Sequence, residues 1–389
     1  MKKLIAFLLL MAVAIAPVAG IAGEKYCTLA DVRGQAAEDW KQTYETKWRT
    51  VEVDAPILLP EVEKVPVAMV GYDLREPRLT AEESGWDSIR QQAGSLILSN
   101  VGKEVPRSLG GKKINKDPEQ KGDWYGDFAP ENTYVPMSDI TFGEIFEMIR
   151  GELARFGYDA DTFQIEKPTR LWSQHWYYYG KKKDALPGHI MLEANQKLYG
   201  LPVVAHVLDA VRDHTNGDRR FDEWWETFTL HAGYDAYDEQ LSHLFISAAI
   251  PIEVVADDVP LCPWETVKAT VEDAIGAGGI RKLYEIQLGY ALYNEPGSYR
   301  EASHRGKEPP YEDLRFYIKP VWQVNCLYVR SATGKLRKLP DDVYDERNTL
   351  DYYQLLIDAQ TGEWIGESDA KDRCEFKGFL SWEDVGGGR

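Results

Sequence analysis

The chain is poor in cysteine, in positive charge and in long apolar runs, and each shortage excludes something. Four cysteines, Cys27, Cys262, Cys326 and Cys374, are spread through 389 residues. None stand as Cys-x-x-Cys, the spacing that a zinc ribbon or a thioredoxin-like site needs. Lysine and arginine number 45 against 63 aspartates and glutamates, a formal charge of −18. An acidic surface repels phosphate, so nucleic acid is not an expected partner. The opening apolar run, Leu4 to Ala16, is short for a membrane span of about 20 residues. The sequence has no Gly-x-Ser-x-Gly elbow, no phosphate-binding glycine loop and no His-Glu-x-x-His, so no catalytic residue, metal or cofactor is assigned.

What is present begins with Lys2 and Lys3, the apolar run, and then Ala19, Gly20, Ala22 and Gly23. This is the three-part form of a secretory signal peptide, with cleavage expected near Ala22. Glu24, Lys25 and Tyr26 precede Cys27, which does not suit lipidation. The expected location is secreted or cell-surface associated, with no stable membrane span after cleavage. Export permits disulfides, and four cysteines allow three pairings that sequence does not choose among. Cys262 stands before Pro263, where a helix dipole lowers a thiol pKa; burial is the plainer reading.

Four segments are expected: a signal peptide over 1–22, an N-terminal segment with a long loop over 23–135, a first helix-plus-strands module over 136–235, and a second over 236–389. Val32, Ala36, Trp40 and Tyr44 recur at a spacing of four, which predicts a helix over Leu29 to Lys47. Ala81 to Leu98 is read as holding another. Gly102 to Pro136 reads as loop.

Thr141 and Glu144 form a capping box, and Phe142, Ile145, Phe146, Ile149, Leu153 and Phe156 fall on one helical face up to Gly157. Strands are expected at Phe163–Trp172, Gln174–Tyr179, His189–Ala194, Leu201–Val207, Trp224–His231 and His243–Val255. A second helix starts at Pro263, with Trp264, Val267, Val271, Ala274 and Ile275 as its stripe. Extended stretches follow at Lys282–Tyr293, Arg315–Val329 and Tyr352–Ile365. Asp358 and Gly362 bracket a turn, where Asp358 reads as structural.

Three clusters invite a chemical reading. Six of the seven histidines lie between His175 and His243, but none are three or four residues apart, so a zinc site is not supported. Asp213 to Asp218 resembles a calcium loop but places Gly217 fifth where an EF-hand needs it sixth. Aromatic groups at Trp172, Trp176, Trp224 and Trp225 are the ligand-binding candidates, since exposed rings stack on sugars or extended peptides; strand cores also favour aromatics.

Pro320-Val321-Trp322-Gln323-Val324 and the run from Leu356 to Ile365, behind the helix at Pro263, carry a resemblance. Over about residues 260–366, and more faintly over 138–207, the chain resembles PepSY-like modules of exported bacterial proteins. It is also similar to the two-module extracytoplasmic regulators of Gram-positive histidine kinases. Leu288-Gly289-Tyr290 and Asp257 to Cys262 are similar to uncharacterised secreted proteins of Gram-positive anaerobes. The resemblance implies an α+β fold of two helix-plus-antiparallel-sheet (PepSY/cystatin-like) modules behind an N-terminal segment. It implies a non-catalytic protein that binds or regulates an extracellular protein, peptide or cell-wall component. Carbohydrate binding through the aromatic clusters and an extracellular hydrolase of unfamiliar type are the alternatives. Those kinase regulators are anchored at the N-terminus, so a cleavable signal separates this chain from them.

Overall fold

The computed structural model describes residues 25–47, 49–92, 94–100, 114–116, 123–124, 140–166, 170–178, 185–207, 228–235, 239–296, 311–331, 348–365 and 375–386. Among these, seventeen strands accompany four α-helices. The helices are α1 (Leu29–Gln35), α2 (Ala81–Ser84), α3 (Phe142–Arg155) and α4 (Trp264–Gly276). Three start on capping boxes, Thr28 with Asp31, Thr80 with Glu83, and Thr141 with Glu144, each pair satisfying the other's backbone N–H.

The first sheet has nine strands. Its spine is two long antiparallel strands, β15 (Ile280–Asn294) and β16 (Phe316–Ser331). On the outer edge of β15 lie β2 (Thr50–Leu58) and β11 (Leu201–His206), both parallel to it. On the outer edge of β16 lie β3 (Val67–Tyr72) and β17 (Asn348–Asp358), both antiparallel. β1 (Asp39–Glu45) pairs β2, β10 (Lys197–Leu198) pairs β11, and β14 (Ala249–Ala256) pairs β3.

The second sheet is antiparallel throughout. Its order is β4 (Ser88–Gln92), β5 (Ser95–Ser99), β13 (Gln240–Ser247), β12 (Thr229–Asp235), β9 (Ala185–Asn195), β8 (Arg170–Tyr178) and β6 (Ile114–Lys116), with β7 (Asp123–Trp124) also on β8.

Every residue of β15 from Glu285 to Asn294 is buried. A strand covered on both faces reads as a nearly continuous apolar run. On one face, α4 lays Trp264, Val267, Val271 and Ile275 into the core with Leu288, Tyr290, Trp322 and Val324. The rings of Trp264 and Trp322 are 5.4 Å apart. On the other face Val204, Val207, Ala291, Tyr293, Val321 and Leu356 form a smaller cluster. Helix α3 buries Phe142, Ile145, Phe146, Ile149 and Leu153 against Leu98, Leu192, Leu230 and Leu244 of the second sheet. Each such side chain contributes about 1.5–3 kcal/mol.

The expected α+β fold of two PepSY/cystatin-like helix-plus-sheet modules is therefore corrected. The protein is sheet-dominated, with one mixed and one antiparallel sheet. Strands from the N-terminal segment enter both sheets, β5 pairing β13 and β3 pairing β16. β11 pairs β15 across the expected boundary at 235. Helices α3 and α4 each cover a sheet face, but the sheets are assembled from strands distant in sequence.

Local corrections follow the same cause. The helix expected over Leu29 to Lys47 stops at Gln35, and Trp40 and Tyr44 lie in β1, held by the hairpin register Trp40↔Ala55 and Tyr44↔Val51. β2 runs through Pro56 to Leu58, and β15 joins it only from Ile57 onward. The Ala81–Leu98 helix ends after one turn at Gly85, whose φ is +81°. The hairpin β4–β5 follows, with Gly94 in its turn. The stretch expected as one strand over His243–Val255 is two, leaving the second sheet at Ser247 and entering the first at Ala249.

Candidate interaction edge

Strand β14 is where the apolar surface concentrates. Ile250, Ile252 and Val254 are each 43% exposed and Val255 39%. Only Leu74 and Met148 share that property among the described large apolar residues. Six consecutive residues, Ile250 to Val255, are exposed. The reason is position: β14 is the last strand beyond β3, and among the described residues no strand pairs its other side.

Sequence and backbone restrain that edge. Pro251 has no N–H to offer an incoming strand. The pairing with β3 shifts register between Pro251 and Glu253 and again between Val254 and Ala256. Prolines and bulges are devices that block edge-to-edge sheet growth. The apolar side chains thus remain on display while the backbone is a poor template. Ile252 is braced from beneath, since a Cβ added to Gly71 would lie 3.0 Å from its Cδ1.

The charge on β14 itself has one sign, while the Arg315 guanidinium lies beside Ile252 over Gly71. Glu253 is the sole charged residue of Ala249–Ala256, and exposed Asp257 follows it. Asp258 accepts hydrogen bonds from the Val65 amide at 3.1 Å and from Trp382 Nε1 at 3.2 Å. No lysine or arginine occurs from Ala249 to Asp258.

Two of the four aromatic candidates lie among the described residues. Trp172 and Trp176 lie on β8, opposite Met191 and Leu186 of β9. The register shifts between Gln174 and Trp176. Trp224 and Trp225 lie outside the described residues, as do His214, the Asp213–Asp218 stretch, Cys374 and the signal segment with Ala22.

Two histidines of the cluster make contacts within the second sheet. His231 Nε2 is 3.0 Å from Thr229 Oγ1, and the imidazole of His243 covers Gly233. Among the described residues no three His, Cys, Asp or Glu side chains converge to hold a metal ion. Asp358 is a turn residue: it accepts from the Gln360 and Thr361 amides at 2.8 and 3.1 Å, and Lys319 Nζ donates to it at 2.5 Å. Gly362 follows with φ +74°.

Cys27, Cys262 and Cys326 are all buried, and no disulfide joins them. Burial pushes the thiols of Cys262 and Cys326 up to about 12. That is the reverse of helix-dipole activation at Cys262. No described helix is long and apolar enough to cross a membrane.

Sequence reasoning missed β14 as a surface. Its composition, Ala-Ile-Pro-Ile-Glu-Val-Val-Ala, reads as a buried strand, and Pro251 was the one signal of an edge.

No family model matches the chain, and no curated protein matches it. A crystal structure of an uncharacterized protein from Eubacterium rectale ATCC 33656 is similar at 13% identity, over 86% of this chain and 96% of that one, with a TM-score of 0.47.

Proposed function

We propose that the protein is a secreted, non-catalytic binding or regulatory protein that docks a separate protein through the β14 edge. The partner presents an apolar surface flanked by lysine or arginine. The observation that carries this reading is the clustering of Ile250, Ile252, Val254 and Val255 on one terminal strand. Apolar residues gathered in one patch mark interaction sites, whereas scattered ones do not.

Charge and backbone select the partner. A second copy would bring another −18 against this chain and would meet Glu253 with Glu253 nearby, an arrangement that repels. Pro251 and the two register shifts oppose a continuous ladder with any strand. Side-chain docking by a basic, apolar partner satisfies both restraints.

The test uses fluorescent amphipathic peptides whose apolar face is flanked by lysine, glutamine or glutamate. Fluorescence anisotropy should rank lysine above glutamine above glutamate, and the lysine series should weaken with salt. Ile252→Asp should weaken binding at least tenfold, and Glu253→Lys should invert the charge ranking. Equal binding by all three series, or by both variants, defeats the proposal. Concentration-dependent dimers of the wild type that disappear in Ile252→Asp would instead make the edge a self-interface.

A further inference from the structure

We infer that residues 375–386 occupy a peptide-binding groove as a resident ligand, and that the groove accepts a partner's extended segment with aromatic residues at every third position. The groove runs from the ends of β15 and β16, past the turn after β17, to Asp258. Phe376 fills one end. Its ring stacks on Tyr317, with centroids 4.1 Å and planes 12° apart, and lies 6.5 Å from the Tyr293 ring. Its amide donates to the Asn294 carbonyl at 2.9 Å. In the middle, Gln360 reads the peptide backbone. The Leu380 amide donates to Gln360 Oε1 at 3.0 Å, and Gln360 Nε2 donates to the Leu380 carbonyl at 2.7 Å. At the far end, Trp382 Nε1 donates to Asp258 Oδ2 at 3.2 Å.

The segment meets the body as a ligand meets a site. Gln360, Asn294 and Tyr293 are buried. Gln360 Nε2 also donates to the Pro260 carbonyl at 3.1 Å, which orients the carboxamide from the body's side. No residue of 375–386 is itself buried; each is partly or fully exposed. The segment adds no strand to either sheet, and the single bridge Asn294↔Glu375 stands in place of a ladder. Part of its order is its own. The Ser381 amide donates to Asp384 Oδ2 at 2.8 Å, and the Asp384 amide donates to Ser381 Oγ at 3.2 Å.

Recognition divides into two kinds. A carboxamide that bonds both backbone groups of one residue accepts any side chain there, whereas pockets for rings select the sequence. Phe376, Phe379 and Trp382 recur every third residue. The Phe379 ring lies 6.4 Å from that of Phe376, and both pack against the main core. A segment held by a few half-exposed anchors opens at lower free energy than the strands beneath it. When it opens, the Tyr317 ring and the Gln360 acceptor face a vacant groove. A partner segment with the same ring spacing satisfies both. This site is separate from the apolar side chains of β14.

The experiment uses the full chain and a heavy-isotope-labelled synthetic peptide of residues 375–386. In wild type, deuterium exchange should find the Phe376 and Leu380 amides at least a hundredfold less protected than those of the β15–β16 spine. Excess peptide should lower that protection further, and a scrambled peptide should not. A tethered occupant competes at an effective concentration on the order of mM, so a fluorescent form of the peptide should bind wild type only near that concentration. Phe376→Ala with Trp382→Ala in the chain should weaken the resident segment and improve peptide binding at least tenfold. Adding Tyr317→Ser, which removes the stacking partner from the groove, should abolish that gain. Ile252→Asp should leave it unchanged, and loss of the peptide in that variant would assign it to β14 instead. Protection equal to that of the spine, protection unaffected by the peptide, or equal binding of the scrambled peptide overturns the proposal. The exchange measurement decides the matter on wild-type protein even where a variant fails to fold.

Discussion

The side-chain amide of Gln196 and the backbone of Ala249 close a two-bond clasp. Ala249 donates to Gln196 Oε1 at 2.7 Å, and Gln196 Nε2 donates to the Ala249 carbonyl at 3.1 Å. Both residues are buried. Gln196 follows β9 in the second sheet, and Ala249 opens β14 in the first. The Gln196 backbone extends the joint, donating to the Phe228 carbonyl at 3.0 Å and accepting from the Val203 amide at 2.7 Å. The clasp holds the chain where it passes between sheets at Ala248.

Gln196→Ala should therefore destabilise the protein by about 2–4 kcal/mol. It leaves the amide and the carbonyl of Ala249 without their partner, and each buried group so orphaned costs about 1–3 kcal/mol. Gln196→Glu keeps an acceptor but sets a carboxylate beside the Ala249 carbonyl, and should lose a similar amount. Urea denaturation measures both. A midpoint unchanged in Gln196→Ala would mean that water or a neighbouring group replaces the amide at no cost.

Lys319 and Asp358 support a second prediction. Their side chains are 13% and 14% exposed, and the aspartate also accepts from two turn amides. Asp358→Asn retains an oxygen for those amides while losing the charge. Asp358→Ala loses both. The alanine variant should be the less stable, by about 1–3 kcal/mol relative to asparagine. A double-mutant cycle with Lys319→Ala isolates the ion pair. Equal losses in the two aspartate variants would assign the whole effect to the ion pair and none to the turn.

Much of this local structure was legible in the sequence because its causes lie within a few residues. The box of Thr141 and Glu144 marks the start of α3, and Gly157, at φ +84°, its end. The stripe from Trp264 to Ile275 identifies α4, and Asp358 with Gly362 identifies the last turn. The failures have causes far away in sequence. Val32, Ala36, Trp40 and Tyr44 imitate a helix, but Trp40 and Tyr44 answer to Ala55 and Val51 on the neighbouring strand. No periodicity reveals that β3 pairs β16 or that β5 pairs β13, so two interleaved sheets were read as two consecutive modules. The β14 edge was hidden for the same reason. Its residues are apolar enough for a core, and only the strand order leaves them outside.

Stability should also fall on the alkaline side. Desolvation, with the nearby Asp73 carboxylate, raises the Tyr158 hydroxyl from 10 to about 12, and burial raises Cys326 from 9 to about 12. Both groups are neutral when protonated, and the fold holds the proton more tightly than the unfolded chain does. Below pH 9 both states are protonated and the contribution is complete. Between pH 9 and 12 the unfolded chain releases protons first, so unfolding becomes favoured. Urea midpoints should decline across that window, and Tyr158→Phe, which has no hydroxyl to ionise, should decline less steeply. Parallel declines in wild type and Tyr158→Phe would remove Tyr158 from this account.

Pro251 provides the last prediction. If its missing N–H and the flanking register shifts restrain the β14 edge, Pro251→Val should restore one outward donor on a strand already rich in β-branched residues. The folded chain should keep its stability within about 0.5 kcal/mol, because Pro251 is exposed. Its self-association should rise instead, visible as concentration-dependent growth in sedimentation velocity. Glu253→Gln should add to the effect by removing the charge that repels a second copy, and Glu253→Lys should not. A Pro251→Val protein that associates no more than wild type at high concentration would show that the register shifts guard the edge without help from the proline. Combining it with Ile252→Asp separates the two contributions, since a charge at this exposed position would oppose any docking that uses the apolar side chains while leaving the restored donor in place.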